Sequence, residues 1–146
     1  MHPHVEALQV QQHAREDLRL GGVAEQVTLH LRAIKPLPQL GETGAHRMLL
    51  FAADHAILPV DARVSRVGVR LGYGEPHDEF RKQSRSVQEA LTRELPPKAD
   101  AFRRAFVYLS HHGGATCTEA DPHCAVCPLL KECPEGKKRV ADHHQP

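Results

Sequence analysis

The four cysteines of this chain all fall within one short stretch towards its C-terminal end. They follow the pattern Cys117-x6-Cys124-x2-Cys127-x5-Cys133, and no cysteine lies outside it. Four thiolates this close in sequence suit a tetrahedral sulfur site for an iron–sulfur cluster or for zinc. Two disulfides would cross-link only this short stretch, and we expect no secretory signal in the chain. Cysteine usage therefore favours a metal or cluster site over disulfide bonds.

The spacing of the cysteines bears on which metal they hold. Zinc ligands usually come as two close couples, whereas this stretch has one couple, Cys124 and Cys127, flanked by single cysteines at wider intervals. Such a pattern favours a cluster enclosed by one wrapped loop, although a zinc-stabilised interaction module remains an alternative. Three prolines break helix structure where the loop must turn back on itself. They are Pro122, Pro128 and Pro134.

Length and composition limit the fold and the partners. A chain of 146 residues is long enough for one domain. Aromatic residues make up 4% and Trp is absent, so a core must be built from Leu, Val and Ala, which favours an all-α fold. The net charge of +1 gives no strong overall field, and any DNA binding must depend on a local patch. No apolar run is long enough to span a membrane, and clustered reduced cysteines indicate the cytosol.

Apolar periodicity and the positions of Pro and Gly predict five helices upstream of the cysteines. Residues 76–82 are expected to form a polar loop, and His111 and His112 to lie at a helix end. The predicted helices span residues 5–19, 22–34, 42–57, 84–95 and 98–112.

Residues 37–45, Leu-Pro-Gln-Leu-Gly-Glu-Thr-Gly-Ala, predict a tight turn that leads into a helix N-terminus. The free backbone N–H groups of such a terminus can hold a phosphate. Turns between helices are common, so this nonapeptide alone favours an ordinary connection.

Two further stretches favour a phosphate-binding turn over an ordinary connection. Residues 58–72, Leu-Pro-Val-Asp-Ala-Arg-Val-Ser-Arg-Val-Gly-Val-Arg-Leu-Gly, follow the turn, and a His-Gly pair precedes the first cysteine. In this order, the three segments resemble the endonuclease III and adenine-glycosylase branch of the helix-hairpin-helix DNA glycosylases. The resemblance covers roughly residues 20–135. It implies a helical glycosylase-like region over 1–113, and a [4Fe-4S] cluster loop and tail over 114–146 with the four cysteines as ligands.

The resemblance also implies a function. The family hydrolyses N-glycosidic bonds of damaged or mismatched bases in double-stranded DNA, as part of base-excision repair. Asp61 matches the catalytic aspartate, and from the sequence alone it is equally a helix N-cap ahead of Val64. The chain is expected to act as a monomer associated with the nucleoid. The residues expected to contact DNA are Leu40, Gly41, Thr43, Gly44 and Lys131.

Several residues depart from the family pattern. Gln39 stands at the first hairpin glycine, and because a positive φ is costly for a residue with a Cβ, the hairpin is expected to be either strained or differently shaped. Thr43 occupies the position of the Schiff-base lysine, which implies little or no strand-cleaving lyase activity. Between the first two cysteines, Glu119 and Asp121 oppose phosphate binding, where the family tends to place basic residues.

The N-terminal part departs as well. Residues 21–24, Gly-Gly-Val-Ala, look like a family segment but lie closer to the hairpin than usual, which implies that the N-terminal helices are partly missing. A truncated, non-catalytic paralogue that binds DNA or a partner is therefore the alternative function. Arg63 stands where the family has a histidine. Together with Arg66 and Arg70 it recurs at helical spacing, which suits either phosphate contacts or, more commonly, a solvated helix face.

Overall fold

The computed structural model describes residues 25–34 and 36–143. All regular structure in that part of the chain is helical, as the composition predicted. The predicted helix at 5–19 and the segment at 21–24 lie outside the described residues. The helices are α1 (residues 25–34), α2 (Glu42–Ala52), α3 (Ala62–Leu71), α4 (Phe80–Glu94), α5 (Ala99–Ala115) and α6 (Pro134–Asp142), with one 3₁₀ turn at Cys124–Val126.

Helix α2 ends five residues before the predicted boundary. Asp54 adopts a left-handed conformation with φ of 57°, and the His55 N–H donates to the Leu49 carbonyl over 3.0 Å. Arg103 of α5 holds the Leu50 carbonyl from Nε and Nη2, at 3.2 and 3.0 Å, and its Nη2 also pairs with Asp54. The helix end is therefore set by a contact between distant segments, in addition to the local turn.

Helix α4 begins at Phe80, so the prediction of a polar loop over 76–82 is wrong for its last three residues. The Glu79 carbonyl accepts the N–H groups of Lys82 and Gln83, both at 3.1 Å, which starts the helix among polar side chains. The Glu79 carboxylate also pairs with Lys82 Nζ at 3.0 Å. Polar composition alone therefore does not distinguish a loop from the exposed first turn of a helix.

Helix α5 extends three residues past its predicted end, through Gly113 and Gly114. Gly113 is buried against α3, where an added Cβ would lie 2.9 Å from Arg63 Cβ and 3.1 Å from a Val67 methyl. The missing side chain lets the two helices approach each other closely. Here the glycines permit packing and do not end the helix.

Helix α3 lies at the centre of the fold, packed against α4, α5 and α6. At its contact with α4, a Cβ on Gly68 would come within 2.4 Å of Val87 Cγ1, so this glycine too permits close packing. The core is aliphatic with two phenylalanines. Its fully or nearly fully buried members include Leu50, Leu58, Val64, Val67, Val87, Phe102 and Phe106.

Among the described residues, no helix combines the length and the apolar character needed to cross a membrane. The division into a helical region over 1–113 and a cysteine loop with tail over 114–146 stays a prediction.

Candidate functional site

The hairpin before α2 has a strained backbone, the first of the two alternatives that the sequence left open. Gln39 adopts φ of 65°, in the left-handed region that glycine enters without steric cost. The hairpin is closed by the Leu40 N–H, which donates to the Leu37 carbonyl over 3.2 Å. Leu40 then folds over Gly44, where a Cβ would lie 2.8 Å from Leu40 Cδ1. Leu40 and Gly44 thus shape the hairpin by packing on each other.

The N-terminus of α2 opens into a cleft. Gly41 is the N-cap residue and, as a glycine, has no side chain that could accept a capping hydrogen bond. The N–H groups of the first turn, from Glu42 onward, have no partner within the helix. Arg81 and Arg85 of α4 line the same cleft, and both are exposed. The cleft therefore combines backbone donors with two guanidinium groups and one carboxylate, because Glu42 also lines it and its Oε2 lies 3.9 Å from Arg81 Nε.

Thr43 connects this helix terminus to the next motif. Its hydroxyl donates to the Val60 carbonyl over 3.1 Å, and Val60 directly precedes Asp61. The first turn of α2 and the start of α3 are thereby joined by a side-chain hydrogen bond. Thr43 therefore has a structural role, and a longer, charged side chain would not make this hydrogen bond in the same way.

Asp61 is the N-cap of α3, as the sequence predicted. One carboxylate oxygen, Oδ1, accepts the Val64 N–H over 2.8 Å. The other oxygen, Oδ2, faces α5 and lies 3.5 Å from the hydroxyl of Ser110. The carboxylate is half-buried. Capping occupies one oxygen, and the second has the Ser110 hydroxyl as its neighbour.

The four cysteines surround one cavity bounded by α3, the end of α5 and the start of α6. All four are half-buried and none forms a disulfide. Cys133 caps α6, where its sulfur accepts the Gly136 N–H over 3.2 Å. His112, in the last turn of α5 as expected, places Nε2 3.8 Å from Cys127 Sγ.

The close packing of side chains around this cavity shifts the pKa values of Cys124 and His112. Burial raises the pKa of the Cys124 thiol; the Arg139 guanidinium opposes this, and the three other cysteines add to it. Burial also lowers the pKa of His112, with a further lowering from His111. The four sulfurs are near enough to influence one another. Within 25–34 and 36–143, however, no three His, Cys, Asp or Glu side chains converge closely enough to form a single-ion site.

Arg66 and Arg70 hold the cysteine loop, so the prediction that they face phosphates or solvent is wrong. Arg66 donates from Nε to the Cys117 carbonyl at 3.1 Å and from Nη2 to the Gly113 carbonyl at 2.7 Å. Arg70 Nη1 lies 2.7 Å from the Thr118 carbonyl and 3.3 Å from Cys117 Sγ. Both side chains are half-buried. They attach the start of the loop to α3.

The remaining charges of the loop lie at its surface. Glu119 has its carbonyl bound by Arg70 Nη2 at 3.1 Å, while its side chain is 89% exposed and 4.0 Å from Arg66 Nη1. An ion pair that long and exposed contributes little stability. Lys131 and Asp121 are exposed as well. Arg63 extends along the end of α5, where its Nη1 would lie 3.2 Å from a Cβ on Gly114.

Known proteins are similar to this chain in sequence and in fold. No family model matches the chain. Endonuclease III of Bacillus subtilis (strain 168) is 31% identical over 105 residues, which are 70% of this chain and 44% of that protein. A solved structure of a non-covalent endonuclease III–DNA complex superposes with a TM-score of 0.64 at 27% identity, covering 79% of this chain and 49% of that one. In sequence and in fold, the chain is similar to the endonuclease III-like helix-hairpin-helix glycosylases.

Further relatives extend the comparison. The DNA glycosylase/AP lyase ROS1 of Arabidopsis thaliana is 28% identical over 105 residues, 64% of this chain and 8% of that protein. A trapped endonuclease III–DNA covalent intermediate shares the fold at 24% identity, with a TM-score of 0.62. This endonuclease III-like chain spans about half the length of the endonuclease III proteins that it matches.

Sequence reasoning missed three sets of site residues in this endonuclease III-like chain. Arg81 and Arg85 lie four residues apart on α4, a spacing that indicates a shared face but not the cleft they line. The loop contacts of Arg66 and Arg70 join residues 51 and 48 positions apart, for which sequence spacing gives no signal. The proximity of Ser110 to Asp61 was missed for the same reason.

Proposed function

We propose that this chain is a DNA N-glycosylase of base-excision repair that removes damaged or mismatched bases from double-stranded DNA. The observation that carries the proposal is the position of Asp61. Its carboxylate is oriented by the N-terminus of α3, and the Thr43 hydroxyl bonds the preceding Val60 carbonyl to the first turn of α2. The similarity to endonuclease III, and to a protein named a DNA glycosylase/AP lyase, supports the same function.

The cleft at α2 is the proposed DNA contact. Gly41 and Thr43 contribute backbone N–H groups to the helix terminus, which favours a phosphate. Arg81 and Arg85 add positive charge to the same cleft. Lys131 is the proposed contact on the cysteine loop. We propose that the protein acts on DNA as a monomer in the nucleoid; the solved endonuclease III–DNA complexes support the DNA contact.

Asp61 is the proposed catalytic residue. When the N-glycosidic bond breaks, the base leaves with the bonding electrons and positive charge develops on the sugar. The carboxylate charge on Oδ2 stabilises that cation until a water adds its oxygen to C1′ of the sugar and releases a proton, which neutralises the departed base. Thr43 has a hydroxyl and no amine, so it forms no imine with the sugar and supports little lyase activity.

The four cysteines fit a [4Fe-4S] cluster by their chemistry. Such a cluster takes four thiolate ligands, and four thiols line one cavity in this structure. The Gly136 N–H and the Arg70 guanidinium donate to two of the sulfurs, which stabilises negative charge on them. Bound there, the cluster would cross-link the loop. We propose that Cys117, Cys124, Cys127 and Cys133 hold it.

The test is base release from a panel of duplexes. We would incubate the protein with duplexes that carry oxidised pyrimidines, uracil, or adenine opposite oxidised guanine, and score strand breaks with and without alkali. We expect breaks that require alkali. Asp61→Asn, which keeps a capping side chain but loses the charge, should abolish them. The exposed Asp78→Asn is the matched control and should leave them unchanged.

Two results would contradict the proposal. Base release that survives Asp61→Asn would exclude the mechanism, and no release from any duplex would favour the non-catalytic alternative.

A further inference from the structure

The carboxylate of Asp61 has its two oxygens in different surroundings. Oδ1 is held by the Val64 N–H at 2.8 Å, a short charge-assisted hydrogen bond. Oδ2 is the oxygen that the cap does not use, and the Ser110 hydroxyl of α5 lies 3.5 Å from it. Rotation of the carboxylate about its χ2 angle would change the position of Oδ2. A hydrogen bond from Ser110 would therefore fix the orientation of the carboxylate and the position of Oδ2.

Ser110 is held in place by backbone packing between α3 and α5. One turn further along α5, Gly113 is so close to α3 that a Cβ would lie 2.9 Å from Arg63 Cβ and 3.2 Å from the Arg63 carbonyl. Arg66 then donates to the Gly113 carbonyl over 2.7 Å. These contacts restrict the distance between Ser110 and Asp61. The half-buried hydroxyl cannot move away without separating the two helices.

The separation of 3.5 Å is longer than the 2.7–2.8 Å typical of O–H···O bonds, so the interaction is weak in the free protein. Catalytic hydrogen bonds are often long before substrate binds, and tighten in the reacting complex. A serine hydroxyl in a helix can also donate to a backbone carbonyl of the preceding turn, so Ser110 has an alternative acceptor when it is not bonded to Asp61.

We propose that Ser110 is a positioning residue for the reaction, which donates a hydrogen bond to Asp61 Oδ2 and orients the carboxylate towards the cationic sugar. The proposal rests on the proposed glycosylase function. Ser110 itself touches neither base nor sugar. Ser110 acts through Asp61, so replacing Ser110 should weaken only those complexes in which a positive charge lies next to the Asp61 carboxylate.

The test compares binding to two duplexes that differ in one charge. One carries a pyrrolidine, protonated at neutral pH, in place of one deoxyribose, and the other carries the neutral tetrahydrofuran. The measured quantity is the ratio of the two dissociation constants at fixed salt, and it requires no turnover. The wild-type protein should prefer the cationic duplex, because transition-state mimics bind more tightly than neutral ones.

Ser110→Ala should reduce that preference about three- to tenfold, the range expected for loss of one net hydrogen bond. Ser110→Thr keeps the hydroxyl and should restore it. Affinity for the neutral duplex and the thermal unfolding midpoint should be similar in both variants. Single-turnover base release should fall by the same factor in Ser110→Ala.

Each other result overturns a defined claim. An unchanged preference in Ser110→Ala would refute the positioning role and leave the glycosylase function standing. Equal weakening on both duplexes, or a lowered unfolding midpoint without a change in preference, would show a merely structural role. A wild-type protein without any preference for the cationic duplex would refute the proposed function, and this role with it.

Discussion

Removing the Arg70 guanidinium should detach the start of the cysteine loop from α3. Its two good hydrogen bonds reach the carbonyls of Thr118 and Glu119, at 2.7 and 3.1 Å, and a third contact reaches Cys117 Sγ at 3.3 Å. Hydrogen bonds that involve a charged partner contribute roughly 1.5–3 kcal/mol each, and neutral ones about 1 kcal/mol. Arg70 is half-buried and its acceptors lie near the surface, so the lower end of that range applies.

We therefore expect Arg70→Ala to lower the free energy of unfolding by about 2–4 kcal/mol, measured by urea denaturation followed by circular dichroism. Arg70→Lys keeps the charge but loses the planar fork, so it should recover only part of that loss. Arg93→Ala is the matched control. Arg93 is exposed and its carboxylate partner Glu89 lies 3.9 Å away, so its removal should cost less than about 0.5 kcal/mol.

A second measurement locates the effect in the loop. Anaerobically purified Arg70→Ala should lose its visible absorption to a chelator faster than the wild-type protein, while Arg93→Ala should not. The contacts would not hold the loop if the free energy of unfolding of Arg70→Ala lay within about 0.5 kcal/mol of the wild-type value. The same conclusion would follow if Arg70→Ala behaved like Arg93→Ala in both assays.

Two further predictions concern the hairpin and the metal. Gln39 adopts φ of 65°, so Gln39→Gly should relieve the strain and raise the free energy of unfolding by up to about 1 kcal/mol; a loss would mean that the Gln39 side chain makes a compensating contact. The protein purified without oxygen should contain about four iron and four sulfide per chain, and Cys124→Ser should lower both. Stoichiometric zinc without visible absorption would favour the zinc module instead.

The parts of the site that the sequence predicted are those encoded by local spacing. Asp61 caps α3 because a carboxylate three residues before Val64 can reach its N–H, a contact within one helical turn. The strain at Gln39 was predictable for the same reason, since a hairpin that needs a positive φ at one position strains any residue with a Cβ. Apolar periodicity predicted the helix interiors, and the close spacing of the four cysteines predicted that they line one site.

The parts that the sequence did not predict depend on pairs of residues far apart in the chain. The end of α2 depends on Arg103 of α5, 53 residues after the Leu50 carbonyl that it binds. An arginine stripe on α3 has the same spacing whether it faces solvent, phosphate or carbonyls. Only the packing of α3 against the cysteine loop directed Arg66 and Arg70 to carbonyls.

The position of Arg66 and Arg70 bears on how this chain would bind DNA. The two arginines of α3 nearest the cysteine loop are engaged by its backbone, and the exposed Glu119 and Asp121 oppose phosphate there. Lys131 is a single exposed counter-charge on that loop. The cleft at α2, in contrast, combines the backbone N–H groups of a helix N-terminus with Arg81 and Arg85, against the single carboxylate of Glu42. In the proposed function, phosphate binding therefore depends mainly on the hairpin and α4, while the cysteine loop serves to hold α3, and with it Asp61, against α5.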